Sequence, residues 1–116
     1  MMLRKTNAPV RELTNCHDGQ GALHCTEMLA DYRKPGAGFT FIHDNILEPG
    51  ASIGEHRHDT NEEVYIIIEG HGVMKVDGVD ETVRPGDICI TRAGHRHALT
   101  NSSAGPMRML VLAVNV

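Results

Sequence analysis

The sequence predicts an all-β, antiparallel domain of the sandwich or barrel class. Three observations carry this expectation. The apolar pattern is strand-like almost throughout, in short runs rich in Val and Ile. The runs are separated by turns, and 12 Gly and 5 Pro are spread through 116 residues. Asp77-Gly78 stands between two alternating runs, the signal of a tight hairpin in which both central residues take positive φ. Several strands at short, regular spacing are the pattern of a closed or stacked antiparallel sheet.

Taken in order, the first 20 residues read as an N-terminal arm, partly loose or contacting a second copy. ALHCTEMLA (22–30) reads as a strand, with a short helix as the alternative because Ala, Leu, Glu and Met favour that state. DYRKPGAG (31–38) is a turn, and FTFIHDNIL (39–47) a second strand. After GASIGEHRHDTNE comes EVYIIIEG (63–70), which is β-branched, short and apolar on both faces, as in a strand covered on both sides by a second sheet or another subunit. GVMKVDGVDETV (72–83) is the Asp-Gly hairpin. RPGD and RAGH are turns around DICIT (87–91), ALTN (98–101) extends, SSAGP is a loop, and MRMLVLAVNV (107–116) is the last strand. No linker, repeat or low-complexity tract interrupts the chain, so residues 1–116 read as a single domain.

Composition narrows the function. Hydrophobic residues make up 41% and aromatics only 3%, so the core must be built from Val, Ile, Leu and Met. The net charge of −4, with no long basic run, argues against binding nucleic acid through its phosphates. No apolar stretch reaches the length of a membrane span, and the start lacks the apolar run of a signal peptide, so a cytoplasmic protein is expected. The three cysteines (Cys16, Cys25, Cys89) form no Cys-x-x-Cys pair and read as reduced structural thiols.

The chemistry is concentrated in two histidine-bearing stretches. On a strand, His56 and His58 point the same way and Arg57 the opposite way. Glu63 lies an odd number of residues beyond His58, but the turn-forming DTNE between them can reset the face. Glu63, Tyr65 and Ile67 then share one face, and Glu62, Val64, Ile66 and Ile68 the other. His97 follows a glycine-containing turn at the start of another strand. Three imidazoles and one carboxylate make a four-donor set that leaves an octahedral ion two places for water or substrate. His-x-His alone, in a chain with eight histidines, is equally consistent with a solvated loop.

The segment from Gly50 to Gly70 reads G-x5-H-x-H-x4-E-x6-G, and that from Gly86 to Asn101 reads G-x7-G-x2-H-x3-N. These resemble the two motifs of the cupin superfamily, with Arg92 at a turn position where that family commonly has Pro. The two motifs and their connection span about half the chain. The resemblance implies an antiparallel double-stranded β-helix (a jelly-roll barrel) of the small monocupin kind. It implies His56, His58, Glu63 and His97 as ligands of one divalent transition-metal ion (Fe, Mn, Ni, Zn or Cu). It gives Asn101 a structural motif-closing role, and implies a homodimer. Tyr65, on the ligand face, is either a pocket hydroxyl or a barrel-filling aromatic. His43 either points inward near the metal or is a satisfied core or surface residue. His95 either lines the pocket mouth or is solvated. These three are the candidate proton-handling groups. His71 is expected to be exposed, and His17 and His24 have no assigned partner. Phe39, Phe41, Ile67 and Met109 are expected in the core. The expected function is a mononuclear metalloenzyme acting on a small oxygen-rich anion (organic acid, sugar acid or dicarbonyl) by dioxygenase, decarboxylase, isomerase or lyase chemistry. The alternative is a non-catalytic small-molecule binder or sensor.

Overall fold

The computed structural model describes every residue from Met1 to Val116. Ten strands follow in order: β1 (Val10–Thr14), β2 (Ala22–Leu29), β3 (Phe39–Leu47), β4 (Ser52–Arg57), β5 (Asn61–Glu69), β6 (Gly72–Val76), β7 (Val79–Val83), β8 (Ile88–Thr91), β9 (Arg96–Asn101) and β10 (Met107–Asn115). They form two antiparallel sheets, one of six strands in the order β1-β2-β3-β10-β5-β8 and one of four in the order β4-β9-β6-β7. The expected all-β architecture is the observed one. The residues 22–30, for which a helix was the alternative, are strand β2. Their alternation places Leu23 and Cys25 inside, and pairing to β1 and β3 settles what local propensity left open.

Strand parity sorts the side chains. Across the larger sheet, Thr91, Glu63, Ala113 and Phe41 lie opposite one another in one rung. Cys89, Tyr65, Val111, His43 and Glu27 make the next, and Ile67, Met109, Asn45, Cys25 and Arg11 the one after. The interior is filled by Leu23, Leu47, Ile53, Ile67, Met74, Leu99, Met107, Met109 and Val111, all buried. This is the aliphatic and thioether core expected from a chain nearly devoid of aromatics. Phe39 departs from expectation: it is 45% exposed, because it opens β3 at the rim, where the β3–β10 register shifts.

The Asp77-Gly78 turn is a two-residue hairpin, with φ 49° at Asp77 and 81° at Gly78, both positive as type I′ geometry requires. The N-terminal arm is ordered into the sheet. Val10–Thr14 pairs residue for residue with β2 as an edge strand. Sequence pattern missed this strand because it offers little apolar alternation: four of its five residues are exposed and only Leu13 packs against the core.

Candidate metal centre

Four side chains from both sheets converge at one end of the barrel. His56 (β4) and His97 (β9) are directly opposed across the smaller sheet. His58 follows the end of β4, and Glu63 reaches across from β5. The donor atoms of His56, His58, Glu63 and His97 all lie within 4.8 Å of one another. His97 Nε2 is 3.0 Å from His56 Nε2 and 3.1 Å from His58 Nε2. The two carboxylate oxygens of Glu63 stand 3.1 Å from His97 Nε2 and 3.4 Å from His58 Nε2. His97 and Glu63 are almost fully buried, at 1% and 3% exposure.

Each ring is oriented from behind. His56 Nδ1 donates to the Gly54 carbonyl at 2.8 Å, which can only accept, so its Nε2 carries a lone pair. His58 Nδ1 donates to Asn61 Oδ1 at 3.1 Å, and His97 Nδ1 to the Thr91 hydroxyl oxygen at 2.8 Å. Thr91 lies directly opposite Glu63 in the β5–β8 pairing, so one rung supplies both a donor and the support of another. Burial pushes His56 down to about 4, and the ring is neutral near neutral pH. Burial would raise Glu63, but hydrogen bonds from His58 and His97 outweigh it and hold the carboxyl at about 2. Its carboxylate in turn raises His58.

This donor set fits a divalent cation. Lone pairs on Nε2 atoms 3.0–3.1 Å apart repel unless a cation or proton lies among them. Adjacent ligands on an octahedral ion with bonds of about 2.1 Å stand about 3.0 Å apart. Three neutral imidazoles and one carboxylate suit first-row transition metals, with the negative charge partly offsetting the ion's. The rear hydrogen bonds are of the kind that fix ring orientation and raise ligand basicity.

A cavity of about 290 Å³ opens beside the cluster. Its lining includes His56, His58, Glu63, Tyr65, His43 and Asn45. Tyr65 is 3% exposed, and its ring meets that of His97 edge-on at 5.1 Å. Burial and then the Glu63 charge push its phenol well up, so it stays a hydrogen-bond donor. His43 stacks on Phe41 at 4.2 Å and is lowered by burial, hence neutral. Of the three proton-handling candidates, His95 is not brought to this cavity. It is half-exposed, with Nδ1 2.5 Å from Asp77 Oδ2, and Asp77 also accepts the Arg96 backbone N–H. The hairpin carboxylate draws this ring outward. Arg57 and Arg96, expected to face away, are exposed, and Arg57 pairs with Asp59. Asn101 is buried, and its Nδ2 donates to the carbonyls of Leu47 and Gly105, a structural arrangement.

One neighbour of the site had no place in the sequence reading. His17 stacks on His56 with centroids 3.9 Å apart and planes 12° from parallel. Its segment is tightly turned, with positive φ at Asn15, His17 and Asp18. It presses so closely on β4 that a Cβ on Gly54 would lie 2.0 Å from the His17 carbonyl oxygen. The available signal was the glycine pair Gly19 and Gly54, but nothing in one sequence says that these two meet. His24 sits elsewhere, held between Glu12 and Glu48. All three cysteines are free thiols, as expected; burial pushes Cys25 up to about 11, which makes it a poor nucleophile.

Residues 45–113 match the family model described as Cupin domain. A protein of Thermotoga maritima named "Oxalate-binding protein" is 26% identical over 114 residues, covering 98% of this chain and 93% of that one. A crystal structure from Thermotoga maritima, described as a predicted oxalate decarboxylase, superposes with a TM-score of 0.91 at 25% identity over the whole of both chains. KdgF from Halomonas sp. shares the fold, with a TM-score of 0.79 at 10% identity, covering all of this chain and 94% of that one.

Proposed function

Starting from a chain that belongs to the cupin domain family, we propose that it is a metal-dependent enzyme acting on a small carboxylate, of the class to which oxalate belongs. The observation that carries this reading is the convergence of His56, His58, Glu63 and His97, each ring supported from behind, at the wall of a cavity. These four residues would hold one divalent ion (Fe, Mn, Ni, Zn or Cu). An ion held there would supply Lewis acidity toward substrate oxygens. Glu63 neutralises part of its charge and leaves a net attraction for anions. Leu23, Ile53, Phe41 and Val111 line the cavity with apolar surface that strengthens electrostatic contacts inside it. Tyr65 keeps a protonated hydroxyl beside Glu63, and His43 offers a neutral imidazole on the same rung. These two are the groups placed to donate or take a proton at a bound acid, in decarboxylase, lyase, isomerase or dioxygenase chemistry.

The test is incubation of protein loaded with each metal in turn with oxalate and related acids, following substrate loss and carbon dioxide release. Turnover that disappears in His97→Ala, with the fold retained by circular dichroism, supports the enzyme. A second reading, a non-catalytic binder, draws on the name of the Thermotoga maritima relative. Calorimetric binding of oxalate without any turnover selects it.

The reading includes a homodimer. Ile68, Ile88 and Ile90 lie on the outward face of the larger sheet and are 41%, 61% and 58% exposed, an apolar patch that a second copy would cover. Light scattering of wild type and Ile90→Asp tests it. No helix is long and apolar enough to cross a membrane, and a cytoplasmic location is part of the proposal.

A further inference from the structure

The lining of the cavity reaches beyond the four-donor cluster to a buried polar group that has no partner within the barrel. Asn45 lines the cavity, is 4% exposed, and its Oδ1 is buried without a hydrogen-bond partner. Leaving such a group unsatisfied is costly, so a buried orphan facing a cavity points to something that enters it. The register gives its depth. Asn45 lies on the rung of Ile67 and Met109, and Glu63 lies two rungs away, with the His43–Tyr65 rung between. Four residues of strand span about 13 Å. Allowing about 2.1 Å for a metal–oxygen bond and about 2.9 Å for a hydrogen bond leaves about 8 Å to be bridged, more than a two-carbon diacid spans. The volume agrees. The space of about 290 Å³ holds roughly ten water-sized groups of about 30 Å³ each, against the six heavy atoms of oxalate. Beyond Asn45, the same rung carries Arg11, whose Nε is fixed by Glu27 Oε1 at 2.7 Å, a cation beside the lining.

We infer that the site takes a hydroxylated carboxylic acid longer than oxalate, anchored at the four-donor cluster by one end and hydrogen-bonded by the Asn45 carboxamide at the other. A carboxamide both donates and accepts, so a hydroxyl satisfies both of its halves where a bare carboxylate satisfies only one. This rests on the metal-site reading above and deepens it by naming chain length and the distal group.

The experiment uses Mn2+-loaded protein and isothermal titration with oxalate, gluconate and glucarate, on wild type and Asn45→Leu. Wild type is expected to bind gluconate or glucarate at least about tenfold tighter than oxalate. Asn45→Leu is expected to lose that preference to within about twofold, with oxalate affinity and manganese content unchanged. Its metal-free melting temperature is expected not to fall, because the substitution removes an unsatisfied buried acceptor. Oxalate as the tightest ligand of wild type, or an Asn45→Leu variant that loses oxalate and the longer acids alike, overturns the inference while leaving the metal site standing. Wild type that takes up none of Mn2+, Fe2+, Ni2+, Zn2+ and Cu2+ overturns the metal-site reading and this inference with it; metal-loaded wild type that binds none of the three acids overturns the inference and leaves the metal site standing. If Asn45→Leu does not fold, Asn45→Ala, which removes the carboxamide without adding bulk or charge, is read in its place by the same affinity criteria, and the wild-type ranking still decides.

Discussion

Replacing Glu63 by Gln removes the one negative charge of the four-donor cluster while keeping the side chain's shape. In the metal-free protein, Glu63 titrates at about 2 against an ordinary 4.5, held down by hydrogen bonds from His58 and His97 despite its burial. Each unit is worth about 1.4 kcal/mol, so the ionised form gains roughly 3 kcal/mol in the folded state. The side chain is only 3% exposed, so little is lost to solvent screening. Because the folded value is depressed, this contribution is fully present above pH 4.5 and is lost as pH falls toward 2. The Gln carbonyl still accepts one hydrogen bond, so about 2–3 kcal/mol is the expected loss at pH 7. That corresponds to a drop of about 10 °C in melting temperature for a domain of this size. The assay is urea unfolding followed by circular dichroism, with chelator present, at pH 7 and at pH 3. The variant should be markedly weaker than wild type at pH 7, and the gap should shrink to about half or less at pH 3, one unit above the folded value. Equal destabilisation at both pH values would falsify the argument, because the loss would then be one of packing and not of charge.

Removing bound metal from wild type should lower the melting temperature, since an ion held at 100 times its dissociation constant adds about 2.7 kcal/mol; calorimetry before and after chelation measures it. Thr91→Val should leave the fold intact but weaken metal binding about tenfold or more, because His97 loses the partner of its Nδ1; metal competition titration reads this directly. Gly54→Ala should destabilise by at least about 2 kcal/mol, because its Cβ meets the His17 carbonyl oxygen at 2.0 Å and neither backbone can yield cheaply. Urea midpoints check it, and an unchanged midpoint would show that the 15–19 segment does not pack on β4 in solution.

Patterns local to the chain carried most of this protein. β3, β5 and the Asp77-Gly78 hairpin were visible because alternation, β-branching and a positive-φ turn are properties of consecutive residues. The convergence of His56, His58, Glu63 and His97 was also foreseeable, but only because the two motifs resemble those of a known family, which implies these four as ligands; parity alone left Glu63 on the wrong face unless the DTNE turn reset it. What escaped was set by contacts between distant segments. Strand β1 exists because β2 offers it a pairing edge, not because Val10–Thr14 is a strong strand by itself. His17 lies over His56 because two glycines 35 positions apart, Gly19 and Gly54, let two backbones touch. His95 is drawn outward by Asp77, and Asn45, on the cavity lining, has an Oδ1 without a hydrogen-bond partner. Amino-acid order by itself determined the strand class, because it follows from side-chain type at short spacing, and the donor set was legible only through the resemblance of two motifs to a known family. Tertiary structure alone decided which polar groups find partners and which do not, because that depends on the register between strands far apart in the chain.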